Sequence, residues 1–251
     1  HAEQVETVVD RALAIAKSEP QGPVYVTLPR EILASPFPAN FSATSTIAPA
    51  SPPGADAEAV EEVAKLLGRA KMPLLITANG GRTVESSRAI AQFVEAFAIP
   101  TIHYRPRHLA LSTEHPMHCG WDPHALLKEA DLVLVVDCDV PWIPKEGGPR
   151  SDAKVVHIGP DPLFARYPLR GFRTDLALTG MSAPTLAALA EKTRKHLSSD
   201  VEARRIAVGA KSAEVRKKAR GGADAVPPAI TGKFLSACIN KVLGDSLLVN
   251  E

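Results

Sequence analysis

Cysteine is scarce in this sequence. Cys119, Cys138 and Cys238 are three in number, widely spaced and without a C-x-x-C, so neither a disulfide framework nor a thiolate zinc site finds support. Aromatic residues make up only 5% of the chain, too few for an aromatic-cored β-sandwich. Charge of one sign is missing too: 29 basic residues face 28 acidic ones, a formal net charge of +1. No overall field therefore draws the chain onto nucleic acid or an anionic bilayer. Long apolar runs are absent. A run such as residues 132–136, as long as any here, falls far short of the roughly 20 residues that span a bilayer, and no basic, apolar, small-residue signal opens the chain. These absences predict a cytoplasmic protein with neither a membrane nor a nucleic acid as partner.

What is present is an apolar content of 45%, rich in Ala, Val and Leu, which suits thin strands covered by Ala-rich helices. Val5, Val8, Val9, Ala12 and Ala16 recur at helical spacing. Pro20, Gly22 and Pro23 stop that helix, and residues 24–28 predict a short buried strand ending at Pro29. Residues 35–54, rich in Pro, Ser, Ala and Thr, read as an extended linker. Asp56 is placed to cap a helix with Val60, Val63, Ala64 and Leu67 on one stripe. A strand at 73–78, a turn, a helix carrying Ile90, Val94 and Phe97, and a strand at 99–104 make a βαβ unit. A helix at 123–130, strands at 132–137, 154–158 and 176–179, and a helix from 182 towards 197 continue the alternation. The predicted class is α/β: a doubly wound, mostly parallel sheet with helices on both faces and short helix–strand stubs at both ends. A polar helix at 200–220 lacks aromatics for base stacking and reads as a solvated connector. The last stretch predicts a helix with Phe234, Cys238, Ile239 and Val242 on one face, then a strand at 246–249. Because the sequence enters on a helix and stops just past a strand, it is expected to be an internal piece of a larger chain.

Four residues, Asn79, Gly80, Gly81 and Arg82, form the turn at a strand's carboxyl end, where a doubly wound sheet opens its ligand crevice. Their backbone N–H groups, the dipole of the next helix and the Arg82 guanidinium can receive a phosphate; the alternative is a tight turn using Gly for positive φ. The phrase is not G-x-G-x-x-G, which disfavours an NAD dehydrogenase. Asp137, Asp139 and Asp161 stand at strand ends, where a carboxylate can hold a ribose hydroxyl or simply form a cap or turn. Five of the eight histidines lie between His103 and His124, yet His115-x-x-His118 with His124 matches no regular zinc spacing, and no metal site is assigned. They read as a polar loop over the sheet's carboxyl edge.

The segment Gly22-Pro-Val-Tyr-Val-Thr-Leu-Pro-Arg-Glu31, coming after a helix and before a Pro-rich linker and a βαβ domain, resembles the thiamine-diphosphate enzymes of the acetolactate synthase and pyruvate decarboxylase superfamily. His157-Ile-Gly-Pro-Asp-Pro162 is similar to a second phrase of that family. The resemblance implies the end of a pyrimidine-binding domain at 1–34, a linker at 35–55, a Rossmann-like central domain at 56–198, a second linker at 199–228 and the start of a pyrophosphate-binding domain at 229–251. It implies thiamine diphosphate and Mg²⁺ in a homo-oligomeric parent decarboxylase or carboligase acting on a 2-oxo acid or related substrate. The family's cofactor-activating Glu and its G-D-G…N motif have no counterpart: Glu31 belongs to the ending phrase, and Gly244-Asp245-Ser246 lacks the second Gly. The chain alone is accordingly expected to be inactive, with no catalytic residue of its own. Central domains of the family bind FAD, ADP or nothing. A nucleotide here would use Asn79, Gly80, Gly81, Arg82 and Asp161, while Val136-Asp-Cys-Asp-Val-Pro-Trp142 lacks the Gly-Ala-Arg phrase of FAD-binding members. His115, His118 and Trp121 fall where such a domain faces the substrate edge. The contrasting expectation is a free-standing, non-catalytic module for FAD or ADP.

Overall fold

The computed structural model describes residues 1–37, 40, 46–197, 200–221 and 230–243. Five strands, β1 (Pro73–Thr77), β2 (Thr101–His103), β3 (Leu132–Val136), β4 (Lys154–Gly159) and β5 (Leu176–Thr179), form one sheet in the order β2-β1-β3-β4-β5. All four pairings are parallel. Every residue of β1, β2 and β3 is buried; β1 and β3 accordingly read as mostly apolar runs rather than alternating patterns, while β2 buries Thr101 and His103 on either side of Ile102. At the edge, β5 buries only Leu178 of its four residues.

The α-helices among the described residues are α1 (Val5–Lys17), α2 (Arg30–Leu33), α3 (Ala57–Arg69), α4 (Val84–Phe97), α5 (His124–Leu127), α6 (Ser182–His196), α7 (Val201–Arg220) and α8 (Gly232–Leu243). Asp56 caps α3, its carboxylate accepting from the Glu58 and Ala59 amides at 3.1 and 2.9 Å. The predicted stripe Val60, Val63, Ala64 and Leu67 is buried, each Val or Leu contributing about 1.5–3 kcal/mol. Thr83 and Ser86 cap α4 reciprocally, and α6 packs against both α3 and α4. The expected helix at 123–130 shrinks to the single turn of α5, after which the chain descends to β3.

Two expectations need correction. Residues 24–28 form no strand: Tyr25 is 91% exposed, and an isolated apolar segment has no ladder without a neighbouring sheet edge. The expected solvated helix holds only for the outer face of α7, because Arg204, Val208 and Ser212 are buried. The Arg204 guanidinium donates to the carbonyls of Phe97, Ala98, Ala70 and Lys71, at the C-terminal ends of α4 and α3. Ser212 Oγ donates to the His118 carbonyl at 2.7 Å. The expected strand at 246–249, the Gly244-Asp245-Ser246 phrase and residues 222–229 lie outside the described residues. No helix among the described residues is long and apolar enough to cross a membrane.

Candidate functional site

The chain leaves β1 for β2 on one side and β3 for β4 on the other, so the strand order reverses between β1 and β3. A crevice opens at the carboxyl ends of that pair, as parallel doubly wound sheets dictate. Its volume is about 620 Å³, and Asn79, Arg82, Asp137, Asp161 and Ser182 lie on its wall. The Asn79 amide donates to the Asp137 carbonyl at 3.0 Å, tying the two strand ends together.

Asn79, Arg82 and Asp161 are thus brought to one cavity, but the turn works differently from the sequence reading. The Gly80 amide donates to Thr77 Oγ1 at 2.9 Å and the Arg82 amide to the Asn79 carbonyl at 3.0 Å. With the Asn79 amide also engaged, three of the four N–H groups of the turn serve the fold itself. Neither glycine has positive φ. A Cβ on Gly81 would overlap the Leu109 carbonyl, so close main-chain packing demands glycine there, whereas one on Gly80 would force the Ile90 and Thr77 side chains to shift. Asp161 forms a local turn, accepting from the Ala165 amide at 3.0 Å.

Sequence reasoning overlooked several neighbours. Arg107 donates from Nε to Asn79 Oδ1 at 3.0 Å and pairs with Asp139 at 2.9 Å, while Tyr167 donates to Asp139 at 3.3 Å. Burial, the largest influence on Asp139, pushes its carboxyl up; the hydrogen bond and charge of Arg107 outweigh it and hold the group below the usual carboxylate range. Asp137 is enclosed and accepts a short hydrogen bond from Ser182 Oγ, the first residue of α6. Burial raises its carboxyl above the usual value, against the opposing pull of Ser182 and Arg82. The first turn of α6, unlike that of α4, has no side-chain cap, and Ser182, Ala183 and Pro184 line the crevice. Asp137 and Phe164, both on the wall, hold φ values of 47° and 52°. Such left-handed conformations cost about 1 kcal/mol or more each and gather at ligand sites. Glu19 arrives from the loop after α1, and its Oε1 lies 2.6 Å from Arg82 Nη2.

His115, His118 and Trp121 lie elsewhere, on a segment bonded along the free flank of β2 through the amides of Thr101, His103 and Cys119. His118 is 2% exposed, and its ring stands 4.9 Å from that of His103 and 5.1 Å from that of Trp121. Trp121 is the exposed member of this group, at 47%. The His115 carbonyl accepts from Ser212, which ties the segment to α7. Among the described residues no three His, Cys, Asp or Glu side chains gather as metal ligands.

Comparison with known proteins places this geometry. Residues 60–189, just over half the chain, match the family described as thiamine pyrophosphate enzyme, central domain. The 2-hydroxyacyl-CoA lyase 1 of Dictyostelium discoideum is 28% identical over 54% of this chain and 24% of its own length. The "Probable 2-ketoarginine decarboxylase AruI" of Pseudomonas aeruginosa is 30% identical over 74% of this chain and 34% of its own length. The benzoylformate decarboxylase structure from Polynucleobacter necessarius shares the fold, with a TM-score of 0.59 at 22% identity over 80% of this chain and 39% of that one. The chain therefore spans about a quarter to a third of these curated relatives.

Proposed function

The chain belongs to the thiamine pyrophosphate enzymes through the central domain of that family, and from this premise we propose that it bridges the catalytic domains of a decarboxylase or carboligase and holds an adenine nucleotide in the β1–β3 crevice. The substrate class is a 2-oxo acid or a related acyl compound. The names of the two curated relatives, a 2-hydroxyacyl-CoA lyase and a 2-ketoarginine decarboxylase, support that class. The parent is proposed as a cytoplasmic homo-oligomer.

One observation carries the nucleotide reading: the Arg82 guanidinium and the uncapped first turn of α6 face one cavity whose wall also holds the carboxyl groups of Asp137 and Asp161. A guanidinium and a helix N-terminus suit phosphate oxygens, and a carboxylate suits ribose hydroxyls. The missing Gly-Ala-Arg phrase after β3 favours ADP over FAD. The substrate contact expected of its segment is assigned in this reading to Trp121, whose 47% exposure beside the buried His103 and His118 supports it.

Thiamine diphosphate and Mg²⁺ do not fit the residues of this chain. It carries no counterpart of the activating Glu, Gly244-Asp245-Ser246 lacks the second Gly, and no ligand cluster gathers among the described residues. In our reading, residues 1–34 and 229–251 belong to the two domains that supply that cofactor site. The exposed apolar residues Val8, Val9 and Leu13 of α1, and the unpaired segment 24–28, support this as surfaces for a neighbouring domain.

Calorimetric titration of the chain with ADP, FAD, coenzyme A and thiamine diphosphate plus Mg²⁺ tests the reading. Saturable one-to-one binding of ADP, without thiamine diphosphate binding, is expected. Absence of any nucleotide binding, or thiamine diphosphate binding by this chain, would overturn it.

A further inference from the structure

Resting on the nucleotide reading above, we propose that Glu19 is a built-in competitor for the anion position of the crevice, occupying Arg82 until a nucleotide phosphate displaces it. Glu19 is an acidic side chain only 7% exposed, on a loop outside the family-matched segment. Its Oε1 lies 2.6 Å from Arg82 Nη2, and its Oε2 accepts from the Gln21 amide at 3.2 Å. A carboxylate held this way presents to Arg82 the same charge and oxygen geometry as a phosphate edge. Arg107, the other guanidinium on this wall, is already engaged by Asp139 and Asn79. Arg82 is therefore the cation for which a ligand phosphate competes, and Glu19 holds it.

The loop bearing Glu19 is positioned as a strap. Ser18 Oγ donates to the Ala14 carbonyl at 2.7 Å and accepts from the Ala50 amide at 2.9 Å, joining the end of α1 to the linker. The linker in turn meets the start of α6, where the Met181 amide donates to the Pro53 carbonyl at 3.0 Å. Pro20, Gln21 and Pro52 consequently share the lining of the crevice with Arg82 and Ser182. A phosphate on Arg82 with Glu19 still in place would set two anions against each other, beside the carboxyl of Asp137, so the strap moves away as the ligand enters. Ligand occupancy is thereby transmitted to α1.

The test is ADP affinity, measured by calorimetry on the full chain and on E19Q, R82Q and the double variant. Removing the competing charge in E19Q is expected to tighten ADP binding about 3- to 10-fold, the range for a partly exposed ion pair. R82Q is expected to weaken binding at least about 10-fold, and E19Q to add nothing in the R82Q background. In the unaltered chain, ADP is expected to speed amide exchange in residues 18–22. Equal ADP affinity in wild type and E19Q, with exchange at 18–22 unchanged, overturns the competitor and leaves the nucleotide site standing. No ADP binding by either protein overturns the nucleotide reading, and the competitor with it. E19D, which keeps the charge but shortens its reach, is expected to fall between wild type and E19Q; affinity below wild type contradicts the proposal.

Discussion

The guanidinium of Arg204 lies 2.7 Å from the carbonyl oxygen of Phe97, a contact across 107 residues that fastens α7 to the end of α4. The same side chain reaches Ala98, which closes α4 in a left-handed conformation at φ 50°, and Ala70, which closes α3. One buried cation thus satisfies carbonyls that two helix ends would otherwise leave unpaired, at the negative end of each dipole.

Replacing Arg204 by Met keeps the apolar stem and removes every donor. It is expected to cost about 3 kcal/mol, since buried carbonyls lose their partners and only packing remains. Urea unfolding measures the loss. R204K is expected to recover less than half of it, because one ammonium cannot span carbonyls from two helices.

The sheet was legible because strands buried on both faces are mostly apolar: residues 73–77 and 132–136 are apolar runs of strand length, although buried Thr77 ends the first. The crevice was legible for the related reason that a strand-to-helix turn at a carboxyl edge is fixed by topology. Arg204 was not, because one arginine among many cations in a polar helix carries no local sign of a partner over 100 residues away. Residues 24–28 failed in the opposite sense: their pattern is that of a strand, and only the absence of a ladder partner decides otherwise. Glu19 gave no signal either, since its place at Arg82 depends on how the loop after α1 folds over the sheet.

The Gly81 backbone approaches the Leu109 carbonyl so closely that any Cβ displaces main chain. G81A is therefore expected to lower stability by roughly 2 kcal/mol or more and to disturb the position of Arg82. G171A is the control. A Cβ there meets nothing within 4 Å, and the change is expected to be neutral or to stabilise by a few tenths of a kcal/mol. Thermal midpoints of the two variants measure the difference.

Stability should fall as the solution is acidified below neutrality, because burial holds His103, His115, His118 and His157 towards the neutral form, the first and last most strongly. Burial, assisted by the charge of His118, pushes His103 down to about 4. Burial, assisted by Arg170, pushes His157 down to about 4 as well. His157 is pinned as the neutral tautomer, accepting from Arg170 at Nδ1 and facing the Arg173 carbonyl from Nε2, each at 3.1 Å. Between the ordinary histidine value of 6.5 and about 4, the unfolded chain binds more protons than the folded one, so stability drops through that window and levels off below it. Each histidine contributes on the order of 3 kcal/mol at most. Asp137, raised by burial, acts in the opposite sense, its contribution falling as pH rises above the ordinary carboxylate value of 3.8. Denaturant midpoints from pH 7 to 4.5 are expected to decline less steeply in H157Q than in the unaltered chain.

A crystal structure of the chain grown with ADP tests most directly whether the crevice is an anion-receiving nucleotide site. A phosphate is expected within hydrogen-bonding distance of the Arg82 guanidinium and the first turn of α6, with Glu19 turned away. ADP bound at another place on the chain, or a crevice in which Glu19 still holds Arg82 at saturating ADP, would contradict it.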